Sequence, residues 1–73
     1  MSKSDQIKEI ISMEIRISKD LLNLNDRIGD HANWDSLSHM KIISNLEKRF
    51  NKKVNPSLIF DLDNVDKLIK HFS

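Results

Sequence analysis

Gly29 and Pro56 are the only glycine and the only proline in a chain of 73 residues. An all-β domain needs many tight turns and draws on both residue types to make them, so this chain is biased toward helices. The spacing of apolar residues agrees. Ile7, Ile10, Ile11 and Ile15 recur at intervals of three and four, and Val65, Leu68, Ile69 and Phe72 form an i, i+3, i+4, i+7 stripe. Each pattern makes one dry face on a helix. Between them, Leu37, Met40, Ile43, Leu46 and Phe50 line a third face, which Ile42 widens, while Ser38, Lys41, Asn45, Lys48 and Arg49 fall on the opposite side.

Capping residues set the expected boundaries. Ser4 and Asp5 can accept from free backbone N–H groups, which predicts a first helix over Asp5 to Arg16, with Met13 off its stripe and partly exposed. The second helix starts at Asp35 or Ser36 and stops at Asn51. Asn55 followed by Pro56 suits the start of a short helix, with Leu58, Ile59, Phe60 and Leu62 supplying apolar contacts. Asp63 or Asn64 caps the last helix.

From Ile17 to Asp35 turn formers such as Ser18, Asn23, Asp26, Gly29 and Asn33 are interleaved with Leu21, Leu22, Leu24 and Ile28. A long connection carrying such apolar weight lies down on the core, and a stretch around Ser18 to Leu24 can form a helical turn. The expected fold is all-α: a single domain over residues 1–73, a small four-helix bundle of three main helices and one short one, with a long loop between helices I and II.

Charge and composition narrow the function. There is no cysteine, hence no disulfide and no thiolate metal site, which suits a cytoplasmic location. The net charge of +1 is too small to suggest a nucleic-acid binder. No apolar run is long enough to cross a membrane. The charge is uneven: residues 1–36 hold five basic and seven acidic side chains, and residues 37–73 hold seven basic and four acidic. His31, His39 and His71 show no ligand spacing on a shared face, so no metal site is expected.

Asp35-Ser36-Leu37 at the head of an amphipathic helix that closes on Leu46-Glu47-Lys48-Arg49-Phe50, with a proline-started short element after it, resembles the acyl and peptidyl carrier proteins. The likeness is strong from Trp34 to Phe72, and Trp34 with the His39-Met40 pair looks like the free-standing carriers. The resemblance implies that Ser36 accepts a 4′-phosphopantetheine arm as a phosphodiester. A phosphopantetheinyl transferase would move it from coenzyme A with magnesium, and an acyl or aminoacyl group would then ride on the arm as a thioester. It also implies that Asp35 assists the transferase and that Leu37 edges the partner surface. The chain would be a monomeric carrier rather than an enzyme, served by a loading enzyme and downstream transferases. A serine at a helix start suits this role, because the helix N-terminus favours the negative charge that a phosphodiester brings.

Local structure offers simpler readings for the same residues. Asp35 and Ser36 are default cap residues, Trp34 can staple the cap by packing on the next turn, and His39 lies near the apolar arc. A hydrolase built on Ser36 would need a base held close, which His39 three residues on could approach, and a pocket, for which so short a chain has little room. A second functional reading is a small interaction module whose basic second helix binds an acidic partner. Many relatives present acidic side chains along this helix, whereas here Lys41, Lys48 and Arg49 are exposed positions and Glu47 is the lone acid. Lys41, Lys48 and Met40 are therefore candidate partner contacts, with the acidic loop of Asp20, Asp26 and Asp30 as the other docking candidate. The double change Lys41→Glu, Lys48→Glu is expected to alter loading by the cognate enzyme. Stopped-flow or quench kinetics at low salt read this, and unchanged rates count against a basic docking face.

Overall fold

The structure, a computed structural model, describes residues 2–73. It is all-helical, as the spacing predicts: α1 spans Lys3–Ile15, α2 spans Ser36–Phe50 and α3 spans Val65–Phe72. Two single turns of 3₁₀ helix, Lys19–Leu21 and Pro56–Leu58, punctuate the connections. The fourth helix of the expected bundle is therefore a three-residue turn. Asn55 and Pro56 do start it, with the Asn55 carbonyl oxygen of the side chain accepting from the Ser57 N–H. Three consecutive apolar residues cannot all face the core in one turn, and Leu58 and Phe60 stay exposed while Ile59 is half-buried.

Each boundary has a local cause. α1 begins at Lys3, two residues before the expected start, because Ser2 supplies the capping hydroxyl and accepts the Asp5 N–H at 3.1 Å. Asp5 then serves as a first-turn acid, where the helix dipole favours negative charge. Arg16 and Asn51 end α1 and α2 in the left-handed conformation, with φ of 60° and 51°. In both cases the next N–H reaches back five residues, from Ile17 to the Ser12 carbonyl and from Lys52 to the Glu47 carbonyl, which closes the free helix end. Asn64, rather than Asp63, caps α3 by accepting the Lys67 N–H at 2.8 Å.

α1 and α2 run antiparallel. Asn33, just before α2, donates its side-chain N–H to the carbonyl of Ile15 at the end of α1, while Arg49 at the far end of α2 reaches Gln6 at the start of α1. α1 lies against both α2 and α3. The core that results holds Ile7, Ile11 and Ile15 of α1, Ile42, Ile43 and Leu46 of α2, and Val65, Leu68 and Phe72 of α3. Leu22, Trp34 and Val54 from the connections complete it.

The long loop is fixed by α3. The first N–H groups of a helix have no partner within it, and here Val65 and Asp66 donate theirs to the carbonyls of Asp26 and Leu24. An isolated antiparallel bridge joins Arg27 and Asn64, and the Arg27 guanidinium meets the Asp63 carboxylate at 3.0 Å. Leu22 is buried and Ile17 and Ile28 are half-buried, as a loop lying on the core requires, although Leu21 and Leu24 point out.

Ile11→Ala, at a fully buried position, is expected to lower unfolding free energy by about 2–5 kcal/mol. Met13→Ala, one face away and 72% exposed, should stay within about 0.5 kcal/mol. Urea unfolding followed by circular dichroism measures both.

Candidate functional site

The start of α2 is built by a reciprocal cap. Asp35 Oδ1 accepts the Ser38 N–H at 2.9 Å, and the Ser38 hydroxyl accepts the Asp35 N–H at 2.9 Å. That hydroxyl also lies 2.6 Å from the Asn33 carbonyl oxygen, to which it donates. Ser38 thus sits buried under the turn that precedes the helix. The Ser38 N–H, followed by the Ser38 hydroxyl, holds the Asp35 carboxyl below its ordinary value. Asp35 faces Ser38, and its first task is to hold the helix start.

One residue earlier, Trp34 staples the same turn. It is buried, its ring lies 6.1 Å from that of His39 between centroids, and the indole N–H donates to His39 Nδ1 at 3.1 Å. Since Nδ1 accepts, the proton of neutral His39 is on Nε2, which donates to the Ile59 carbonyl at 2.9 Å. One imidazole therefore ties together the loop, α2 and the turn that follows Pro56. Burial pushes the His39 pKa down from its ordinary 6.5, against smaller opposing contributions from the Ile59 carbonyl and the Asp63 carboxylate. Trp34 and His39 are packed, as expected from sequence. His39 uses both ring nitrogens and is held away from the role of a base toward Ser36.

These anchors set the rotation of α2, and here the structure corrects the helical-wheel expectation. Ser38, placed on the wet side, is buried, whereas Leu37 and Met40, placed on the dry stripe, are 64% and 51% exposed. The cap draws Ser38 inward and the staple draws His39 inward, so the helix turns its Leu37–Met40 edge to solvent. Phe60, 50% exposed, packs its ring on His39 at 5.8 Å and adds to this edge. Sequence reading missed Phe60 because its run of apolar neighbours looked like core.

Ser36 occupies the first position of α2 and is exposed. No side-chain hydrogen bond ties its hydroxyl down among the described residues. The structure thus brings together Asp35, Ser36, Leu37 and Met40 at one end of α2, framed by an apolar rim. Lys41 and Lys48 are exposed but lie farther along, roughly 8 and 18 Å from Ser36 at 1.5 Å rise per residue. Glu47 is not a surface acid of α2, since its carboxylate accepts the Val54 N–H at 2.7 Å and closes the turn after the helix. In the loop, Asp26 accepts from Asn23 and meets His31, and Asp30 accepts from the Arg27 N–H. These carboxylates shape the turns that lead to Ser36. Hydrogen bonding from the Asn23 N–H, and then from His31, lowers the Asp26 pKa. Among the described residues no group of three or more His, Asp or Glu side chains is placed to hold a metal ion.

The residues present suit a phosphopantetheine arm. The serine oxygen is open to solvent at a helix N-terminus, where a phosphodiester charge is favoured, and the exposed Leu37 and Met40 offer apolar surface beside it. Comparison with known proteins agrees. The profile of the phosphopantetheine attachment site family matches residues 5–72. Polyketide synthase PksM of Bacillus subtilis (strain 168) is 39% identical over 66 residues, which cover 90% of this chain and 2% of that protein. The chain thus spans a very small part of that relative.

His39 folds neutral with a lowered pKa, so the unfolded chain binds the extra proton first. Stability is then complete above the ordinary pKa and is lost as pH falls below about 6.5. Thermal melts should be flat above pH 7 and decline as pH falls below about 6.5, and the decline should shrink in His39→Gln. A further loss below about pH 4 follows from the lowered carboxyls of Asp26 and Asp35.

Proposed function

The chain belongs to the phosphopantetheine attachment site family, a family of carriers, and on that premise we propose that Ser36 is the residue that bears the arm. The observation that carries the proposal is the exposed, unengaged Ser36 hydroxyl at the head of α2. A transferase would join the phosphorus of the arm to Ser36 Oγ, with loss of the hydroxyl proton and departure of the nucleotide part of coenzyme A. When attached, the arm supplies the thiol that this cysteine-free chain lacks.

Leu37, Met40 and Phe60 give partner enzymes an apolar surface next to the attachment point, and Lys41 adds a positive charge at its border. Lys48, farther down α2, extends that basic surface. Family members of this kind are generally non-catalytic, and His39, with both ring nitrogens engaged, is not placed to serve Ser36 as a base. The serine would be a substrate of the transferase and thereafter a tether. The partners would be that transferase, an enzyme that loads an acyl or aminoacyl group, and enzymes that take it off. The similarity to a polyketide synthase favours an acyl cargo. No helix of the described residues is long and apolar enough to cross a membrane, and the pairing of the chain with such enzymes favours the cytoplasm.

Incubation with coenzyme A and a broad-specificity transferase should add the mass of one phosphopantetheine, and Ser36→Ala should abolish the gain in intact-protein mass spectrometry. A gain that survives the substitution would overturn the assignment. Asp35→Asn keeps the oxygen that accepts the Ser38 N–H, so it should preserve the fold. If the carboxylate charge assists the transferase, modification of this variant slows by an order of magnitude or more at unchanged circular dichroism; an unchanged rate confines Asp35 to capping.

A further inference from the structure

A cleft lies between α1 and α2 on a side of α2 that Ser36 does not share. Asn45 lines it, and its separation of nine positions from Ser36 amounts to two and a half turns, which places the two on opposite sides of the helix. The cleft is open and has a volume of about 640 Å³. Ile10 and Met13 of α1 give it an apolar floor, and Met13 is the most exposed large apolar side chain of α1. Arg16, Lys48 and Arg49 border it with Glu14 as their only acidic companion. A smaller hollow of about 200 Å³ continues it past Ile10, Met13 and Arg49 to Glu9. Among the described residues, none of the three cations takes part in an ion pair. Arg49 reaches Gln6 across the helices by one long hydrogen bond of 3.4 Å.

We propose that this cleft is a second docking surface, which takes an acidic amphipathic helix from a partner protein. Two antiparallel helices leave a furrow that a third helix can fill, with its apolar side chains seated on the floor. Carboxylates along the flanks of that helix would meet Arg16, Lys48 and Arg49, which have no neutralising partner of their own. Phosphate-rich nucleic acid suits the site less well, because the floor is aliphatic and carries no aromatic ring for base stacking. A second copy of this chain suits it less well also, since the apolar stripes of its own helices, Ile7, Ile11 and Ile15 of α1 and Val65, Leu68 and Phe72 of α3 among them, are already buried in the core. The surface leaves Ser36 out, and Lys48 stands between it and the Leu37 flank. A partner could hold the carrier here while the opposite side of α2 stays open to loading and unloading.

The test is an amide NMR titration of the full chain with a synthetic helical peptide, with leucine at i, i+3, i+4 and i+7 and glutamate elsewhere. Shifts are expected at Ile10, Met13, Asn45 and Lys48. Replacement of the peptide glutamates by glutamine should weaken binding about tenfold or more, as should Lys48→Glu in the protein. Met13→Ser, which leaves the charges in place, should weaken it as well, and Ser36→Ala should bind as the native chain does. Circular dichroism verifies that each variant keeps its helices. The proposal is overturned by the absence of shifts at millimolar peptide, by shifts centred on Ser36 to Met40, or by equal binding of the glutamine peptide. Shifts in the cleft that grow with protein concentration alone would replace the partner helix with a second copy of the chain.

Discussion

A single buried imidazole organises the end of the molecule that matters. His39 accepts from the Trp34 indole and donates to the Ile59 carbonyl, so the loop end, α2 and a turn twenty positions on share one side chain. The arrangement works only for the neutral ring with its proton on Nε2. An aliphatic residue of the same size would fill the space but leave the indole N–H and the Ile59 carbonyl without partners, each at a cost of about 1–3 kcal/mol. Ser36 benefits without taking part. The anchors on either side of it hold the backbone, so its own side chain can stay disengaged.

The same anchoring explains how one amphipathic helix serves more than one purpose. A helix rotated to bury Leu37 and Met40 would take their apolar surface away from beside Ser36. The reciprocal Asp35–Ser38 cap and the Trp34–His39 staple set a different rotation, with Ile42, Ile43 and Leu46 to the core. Leu37 and Met40 are then available on one flank, while Asn45 and Arg49 approach α1 on the other. The basic character of α2 also becomes clearer. Its one acid, Glu47, is engaged by the Val54 N–H, so the exposed surface is more positive than a count of charges along the helix suggests.

Most of the fold was legible in the sequence because its signals are local. Asn55-Pro56, Asn51 and the cap at Asp35 each act within four residues, and the α1 and α3 stripes need only the helical period. The family was legible for a different reason, since a motif of Asp35-Ser36-Leu37 with a helix and Leu-Glu-x-x-Phe behind it carries family information. What escaped was rotation. The burial of Ser38 and the exposure of Leu37, Met40 and Phe60 depend on hydrogen bonds to Asn33 and Ile59, which lie outside the helix. The start of α1 escaped because Ser2 and Ser4 offer the same hydroxyl, and only the first turn's packing chooses between them. The cleft between α1 and α2 escaped because it belongs to a pair of helices and to neither alone.

The clasp between the long loop and α3 bears on how the site comes into being. Arg27 and Asn64 are 37 positions apart, and the span they enclose contains all of α2. Closing so long a segment costs chain entropy before any contact rewards it, so such a contact forms late relative to the helices it joins. α3 has only eight residues, too few to persist unless packed. α3 therefore forms only as it packs, and its contacts with α1 and with the loop both wait on the closing of long segments. The turns that lead to Ser36 are thus held by a helix that cannot stand alone, so whatever loosens α3 loosens the setting of Ser36 as well.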